Sequence, residues 1–514
     1  MRRFLLLPVS LLAVAACSDS LPVQTSDTPA LSVSSAATSR YAVLLRGSSA
    51  QFTAKITSLG GTLDFLHDRA GVAIVSGMTD AAAAALESSG RAELVIEDFE
   101  HQAVPRAVNR QFEMLSTEHS IDAASQANPA TAAWFPRQWH MRAIGANVAW
   151  AKGRTGSPNV DVAILDSGID PTYIDLLTLV DVSRAAAFVD TKGKDPLNPT
   201  DDQLIEKFFP GVPLWRDLNG HGTHVASTVS SRSIGNAGVT SRVTLIPVKV
   251  LGASGSGSFT GILQGILYAA DKGADVINAS VGAIFYRRGE GDFTRLLDRV
   301  TKYARDAGVT TVVAAGNEAA PLHPSTNALY SAFCSTKNVI CVSATGPHTA
   351  LGADGKANVN GPNFLPSVDL FAVYSNYGQQ HVDVAAPGGN YAVNEKGELV
   401  SAVAVWAACS KTSLDLIEPT VPEGSPPETK PDPPYYQKSV CAQLPQFTFT
   451  LGSLGTSMAS PHVAGLAALL VETYGRDPNA IREVILQTAD DLGKSGTDDA
   501  YGRGRINIPR ALGL

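Results

Sequence analysis

The residues best able to do chemistry sit in three short words that lie far apart in a 514-residue chain. Asp166 ends the apolar run in Val160-Asp-Val-Ala-Ile-Leu-Asp-Ser-Gly-Ile-Asp170. His221 stands in Asn219-Gly-His-Gly-Thr-His-Val-Ala226, and Ser457 follows Gly-Thr in Leu451-Gly-Ser-Leu-Gly-Thr-Ser-Met-Ala-Ser-Pro-His-Val-Ala-Gly465. A serine hydroxyl is a poor nucleophile unless a base takes its proton and a carboxylate orients that base. Singly, each residue has a plainer reading: a strand-end aspartate caps a turn, a histidine at a helix start is structural, and a serine after Gly-Thr is an N-cap. Together they supply nucleophile, base and orienting acid for acyl transfer.

In their order Asp, His, Ser and in their flanking words, the three segments resemble the motif blocks of the subtilisin-like serine proteases, the subtilases. The resemblance implies that His221 takes the proton of Ser457 as the hydroxyl attacks a peptide carbonyl, and that Asp166 holds the imidazole tautomer and its developing charge. Val312-Val-Ala-Ala-Gly-Asn-Glu318 resembles the family's oxyanion block, which makes Asn317 the side-chain donor beside the backbone N–H of Ser457. Ser254, Gly255, Ser256 and Gly257, with Ser280, Val281 and Gly282, look like the two segments that pair with an extended peptide, and Ala314, Ala315 and Gly316 like a pocket wall. With no charge marking that pocket, a neutral or apolar substrate side chain is expected. His224 and His462 match structural positions and stay outside the chemistry. The implied activity is serine endopeptidase, needing no cofactor for the chemistry and acting on proteins or peptides. A silent protease-like binding module and a serine esterase are the rival readings; the intact catalytic set opposes the first, and the peptide-pairing segments oppose the second.

Two departures from the family pattern stand out. About fifty extra residues, an insertion at about 390–450, lie between Pro387 and Ser457 and include the Pro-rich run Glu418 to Pro434, expected as a surface loop. Gln138 and Asp175 match positions of a family calcium site, yet the loop Ser231-Arg-Ser-Ile-Gly-Asn236 is short of carbonyls for a six-oxygen cage, so structural calcium stays an open expectation.

Positioning these residues needs a scaffold, and residues 136–514 provide the pattern of one. Short apolar, β-branched runs at Val160–Leu165, Thr244–Leu251, Ala274–Ala279, Val309–Ala315, Val339–Ala344 and Val382–Ala385 suit a parallel sheet buried on both faces. Phe259, Ile262, Leu263, Ile266, Leu267 and Ala270 fall on one helical face, and Phe293 to Ala307 forms another helix. The expected architecture is α/β, a doubly wound, mainly parallel sheet with helices on both faces and its site at the carboxyl ends of the strands. Ahead of it, residues 40–104 read β-α-β-β-α-β, a small ferredoxin-like α+β domain resembling the subtilase propeptide, an intramolecular inhibitor. Residues 105–135, rich in Ala, Asn, Gln and Ser, read as a processing linker.

The first sixteen residues form a signal peptide, Arg2-Arg3 ahead of an apolar run too short to span a bilayer. Its end, Leu12-Ala-Val-Ala-Ala-Cys17, resembles a bacterial lipobox, so Cys17 is expected to carry lipid and residues 17–39 to form a disordered tether. The protein is thus expected in the cell envelope or secreted. The remaining four cysteines allow three pairings, of which loop proximity favours Cys334–Cys341 and Cys409–Cys441. A net charge of −8 and the lack of any basic run exclude a nucleic-acid partner, and the protein is expected to be monomeric.

Overall fold

The computed structural model describes residues 40–514 except 105–110, 115–123, 192–198, 283, 287–290, 323–328, 332, 348–367, 394–398 and 418–434. The signal peptide, Cys17, the tether and the Pro-rich run therefore lie outside the described residues.

Seven parallel strands form the central sheet, in the order Val384–Pro387, Val339–Thr345, Thr310–Ala314, Val276–Ala279, Asp161–Asp166, Thr244–Lys249 and Ala186–Ala187. Six match the apolar runs of the sequence; the seventh, two residues long, carries no pattern to read. The runs lack alternation because both faces are covered. Val162 and Ile164 point into one core with the helices His221–Val229 and Thr456–Tyr474, while Ala163 and Leu165 point into the other with Phe259–Asp271 and Gly291–Asp306. From Asp161–Asp166 the chain builds first toward Thr244–Lys249 and then, in the opposite direction, toward Val276–Ala279. That reversal leaves a crevice at the carboxyl ends of the two strands where it occurs, the usual place for a site in such sheets. Asp166 and Ser280 stand at these two ends.

The N-terminal region, Tyr41 to Glu97, is a small α+β unit with a four-stranded antiparallel sheet, Thr62–His67, Val72–Ser76, Tyr41–Leu45 and Ala92–Glu97 in spatial order. Its strand Tyr41-Ala-Val-Leu-Leu45 is also apolar without alternation, and for the same reason. Tyr41 and Val43 pack under the unit's own helices, Ser49–Ser58 and Asp80–Ser88, whereas Ala42 and Leu44, with Val72, Ile74, Leu94 and Ile96, join the core containing Phe259, Ile262 and Leu296. At the border Phe99 stacks on Phe259 at 5.1 Å, and Asp98 accepts from Thr260 N (2.9 Å) and Oγ1 (2.7 Å) at the start of the helix Phe259–Asp271.

The insertion folds back as antiparallel pairs, Val405–Ala408 with Phe449–Ser453 and Leu414–Ile417 with Tyr435–Lys438. Cys409 and Cys441 are joined beside them, with Cα atoms 6.3 Å apart, and Cys334 and Cys341 are joined at 5.2 Å. No helix among the described residues is long and apolar enough to cross a membrane.

Three buried histidines knit the core under the crevice. His140 Nδ1 and His462 Nε2 are 2.8 Å apart, His462 Nδ1 donates to the Met458 carbonyl (2.8 Å), and His224 Nε2 donates to that of Val405 (2.9 Å). Burial pushes His462 down to about 3 and, with the nearby His462, His224 and Arg142, pushes His140 well below the ordinary range. A lowered folded-state pKa means that the unfolded chain binds the extra protons first. Stability is then complete above about pH 6.5 and is lost progressively as pH falls below it. The melting temperature should start to fall near pH 6.5, well above the carboxylate range, and a His140→Gln, His462→Gln double variant that folds should fall less steeply there, keeping only the part due to His101, which burial also pushes down to about 4; an unchanged pH profile in that variant would refute the attribution.

Candidate active site

Asp166 is wholly buried, and its Oδ1 lies 2.7 Å from His221 Nδ1 and also accepts from Ser167 N at 2.7 Å. This close approach depends on two glycines. A Cβ on Gly222, the second residue of the helix His221–Val229, would stand 2.1 Å from the Gly168 carbonyl oxygen; one on Gly168, whose φ is +106°, would stand 2.4 Å from that of Trp215. The helix start can settle onto the strand end only because neither has a side chain. Asp217, which sequence reasoning passed over, holds the start in place. Its carboxylate accepts from Asn219 N, Gly220 N, Thr223 N and Oγ1, and Ser167 Oγ, all within 3.0 Å. Its signal was the turn-forming Asp-Leu-Asn-Gly directly before His221.

Ser457 is the second residue of the helix Thr456–Tyr474, so its backbone N–H is one of those at a helix start that find no partner within the helix. Its carbonyl is also exceptional. The residue four positions on is Pro461, which has no N–H to give. Ser280 Oγ supplies the missing bond, donating to the Ser457 carbonyl at 3.0 Å, and is itself held by Asn278 Nδ2 and Ser460 Oγ, each at 2.9 Å. The Ser457 hydroxyl lies 3.5 Å from the Ser280 carbonyl oxygen, its one hydrogen bond among the described residues. Among the described residues it makes no hydrogen bond to His221.

Asn317 sits in the loop after the strand Thr310–Ala314. Its Oδ1 accepts from Thr456 N (2.8 Å) and Thr456 Oγ1 (3.0 Å), which fixes the amide orientation and turns the Nδ2 donor the other way. Thr456 Oγ1 also accepts from Gly316 N at 3.1 Å, and Tyr374 Oη accepts from Gly455 N at 3.0 Å while donating to the Gly388 carbonyl at 2.8 Å. Thr456 and Tyr374 were missed in the sequence, since neither type signals a support role.

The peptide-edge residues divide. Ser280 and Val281 turn their side chains into the protein, Ser280 under the helix and Val281 into the core, so only their backbones are available to a ligand. Gly282 and Gly316 lie face to face, with a Cβ on the former meeting Gly316 Cα at 2.9 Å, and Ala314 and Ala315 are buried beside them. The segment Ser254–Gly257 is already paired. The strand Glu100–Gln102 runs antiparallel to Ser256–Ser258, and Ala103 N and Val104 N both donate to the Gly255 carbonyl at 3.1 Å. Gln102 Nε2 reaches the Ser254 carbonyl at 2.8 Å, His101 bonds to the Gly282 carbonyl, and Ser256 Oγ bonds to Glu100.

Gln138 and Asp175 are brought together, but with donors rather than oxygens around them. Asp175 Oδ1 accepts from Ile234 N and Gly235 N and Oδ2 from Asn236 N, all at 2.8 Å. Gln138 Oε1 accepts from Ala237 N at 2.7 Å, while its Nε2 donates to the carbonyls of Ala237 and Trp406. A cation there would face N–H groups of the wrong polarity, so these residues do not fit calcium. Among the described residues no cluster of three or more His, Cys, Asp or Glu could hold a metal ion.

Comparison with known proteins agrees with this geometry. A model described as "Subtilase family" matches residues 157–504. Thermitase from Thermoactinomyces vulgaris is 31% identical over 73% of this chain and 96% of its own, and the thermophilic serine proteinase of Bacillus sp. (strain AK1) is 30% identical over 72% and 68%. Among solved structures, fervidolysin from Fervidobacterium pennivorans, described as a keratinolytic enzyme related to subtilisin, superposes with a TM-score of 0.60 at 20% identity over 93% of this chain and 61% of its own. An epidermin leader peptide processing serine protease from Staphylococcus aureus does so with a TM-score of 0.60 at 19% identity over 93% and 98%; at these identities the likeness is one of fold.

The Asp175 contacts give a direct test. Asp175→Ala leaves three buried backbone donors unpaired and should cost about 3 kcal/mol in denaturant unfolding. Any shift in melting temperature between calcium and EGTA should be the same in wild type and variant; a calcium shift that the substitution abolishes would put an ion at Asp175 after all.

Proposed function

This chain belongs to the subtilase family of serine endopeptidases, and from that premise we propose an exported, lipid-anchored protease that is made as a zymogen and cleaves peptide bonds through Asp166, His221 and Ser457. The observation that carries the reading is the meeting of a buried Asp166–His221 pair with a serine at a helix start, all at the crevice of the sheet. On substrate binding the Ser457 hydroxyl turns to His221 Nε2, gives up its proton there and attacks the peptide carbonyl carbon. The tetrahedral intermediate collapses as His221 passes that proton to the leaving amine, giving an acyl-enzyme that water, deprotonated by the same imidazole, then hydrolyses. Asp166, bonded to Nδ1, keeps Nε2 free to accept and stabilises the imidazolium. The developing oxyanion is met by the Ser457 N–H, unclaimed because it opens the helix, and by Asn317 Nδ2, aimed by the two bonds that Thr456 makes to Oδ1.

The zymogen reading is supported by the strand Glu100–Gln102, which occupies the very edge, Ser256–Ser258, that a substrate would need. Extended main chain adds to a sheet edge whatever its side chains, so the N-terminal domain both blocks the edge and feeds the linker toward Ser457. The cut is placed between His101 and Pro136, a stretch that runs in part outside the described residues. Lipid on Cys17 would hold the precursor at a membrane surface until the cut parts the catalytic domain from it, with two disulfides suited to an oxidising compartment.

Ser457→Ala should abolish hydrolysis and, in a host lacking other exported proteases, accumulate as a precursor retaining the N-terminal domain. Appearance of the smaller mature form in that variant would show that another enzyme does the processing. Asn317→Ala should lower kcat by roughly 10²- to 10³-fold with KM little changed, because the oxyanion exists only in the transition state. In the uncut Ser457→Ala precursor, Cys17→Ser should move the protein from the membrane to the soluble fraction, and unchanged fractionation would exclude the lipid.

A further inference from the structure

After the pairing of Glu100–Gln102 with Ser256–Ser258, the chain pairs with the catalytic domain a second time, now on the strand that leads into Ser457. Residues Gln111–Met114 run antiparallel to Phe449–Ser453, with Gln111 opposite Gly452, Phe112 opposite Leu451, Glu113 opposite Thr450 and Met114 opposite Phe449. Ser453 is only four residues before Ser457, so this strand leads directly into the nucleophile. The chain thus pairs with one edge up to Val104 and, after six residues outside the described set, with another, antiparallel to its partner each time. Resting on the protease reading above, we propose that the outer edge of Phe449–Ser453 is a binding site for substrate residues downstream of the scissile bond, which add to it as an antiparallel strand once the linker has left.

The edge is built for this. In the antiparallel pair Val405–Ala408 with Phe449–Ser453, Trp406 turns its backbone away, its N–H toward His140 Nε2 (3.3 Å) and its carbonyl toward Gln138 (3.0 Å). Trp406 and Gly452 are therefore a non-bonded pair, and the neighbouring Ala407 and Leu451 exchange the hydrogen bonds. Alternate residues of a middle strand serve opposite neighbours, which leaves the N–H and C=O of Thr450 and Gly452 for the linker side. The strand carrying them is anchored from behind. Tyr173 Oη donates to the Phe449 carbonyl at 2.6 Å, Thr450 Oγ1 donates to Asn236 Oδ1 at 2.7 Å, and the Trp406 ring packs so closely over Gly452 that a Cβ there would lie 3.2 Å from it. The Cys409–Cys441 bond closes the hairpin behind them. Such a rigid row of two donors and two acceptors gives affinity through main chain alone and little preference for side chains. An open edge of this kind is also a liability for aggregation, which the linker strand prevents until the chain is processed.

The test uses the mature enzyme and quenched peptides that share one upstream sequence and carry two to eight residues after the cleaved bond. Catalytic efficiency, kcat/KM, should keep rising beyond three downstream residues, gaining at least about tenfold by eight, the worth of one or two net backbone hydrogen bonds. In the longest peptide, N-methylation of successive downstream amides should weaken cleavage at every second position and spare those between, because an antiparallel strand offers alternate amides to its neighbour. A plateau by three residues, or N-methyl effects without a period of two, would overturn the proposal while leaving the protease reading intact. Failure to cleave any of the peptides, together with no labelling of Ser457 by a serine-directed phosphonate, would instead overturn the protease reading and this inference with it.

Discussion

The hydrogen bond from Thr456 N–H to Asn317 Oδ1 ties the two halves of the site into one object. A helix that begins beside Ser457 must dispose of its first N–H groups without help from its own carbonyls. Here one goes to Asn317, which fixes that amide by the only acceptor it has, and the next is left facing the crevice. One bond therefore orients a side-chain donor, frees a backbone donor and joins the loop after Thr310–Ala314 to the helix Thr456–Tyr474. Pro461 imposes the complementary demand on the carbonyl side, and Ser280 answers it. Ser457 is thus surrounded by groups whose positions follow from completing the hydrogen bonding of a helix start.

Much of this was legible in the sequence because it rests on local rules. Apolar runs without alternation gave six of seven strands, and the words around Asp166, His221 and Ser457 carried the order of a known family. What escaped is of a different kind. Whether Asp175 faces carbonyls or amides depends on the turn taken by residues 234–236, and residue types alone do not set that polarity. Ser280 was read as a peptide edge for its backbone, and the separate task of its hydroxyl under the helix went unseen, since only the fold brings it beneath Pro461. Thr456, Tyr374 and Asp217 act through backbone atoms of distant segments, and no pattern in their own neighbourhoods declares this. The pairing of Gln111–Met114 with Phe449–Ser453 joins two segments whose meeting is set by the tertiary structure alone.

Buried carboxylates of the catalytic domain are handled in two ways: Asp170 and Asp201 pair with Arg216 and Lys249 at 2.6 and 2.9 Å, whereas three others do without a cation in contact. Asp166, Asp175 and Asp217 are fully buried carboxylates, and each is met by backbone N–H groups, an imidazole or a hydroxyl within hydrogen-bonding distance. Hydrogen bonds of this kind avoid bringing a second full charge into the interior, whose desolvation can exceed the attraction gained. They also fix direction, because a backbone amide cannot swing as a lysine can.

The strand Tyr41–Leu45 belongs to two cores at once, its alternate side chains assigned to its own helices and to those of the catalytic domain. In evolutionary terms it is a shared boundary. A change of volume at Ile262 or Leu296 has to be answered at Ala42, Leu44 or Ile74, although these residues sit in a part of the chain with no role in catalysis. The two domains should therefore drift together, and an N-terminal domain taken from one relative and joined to the catalytic domain of another should fit less well the further apart their packing residues have moved.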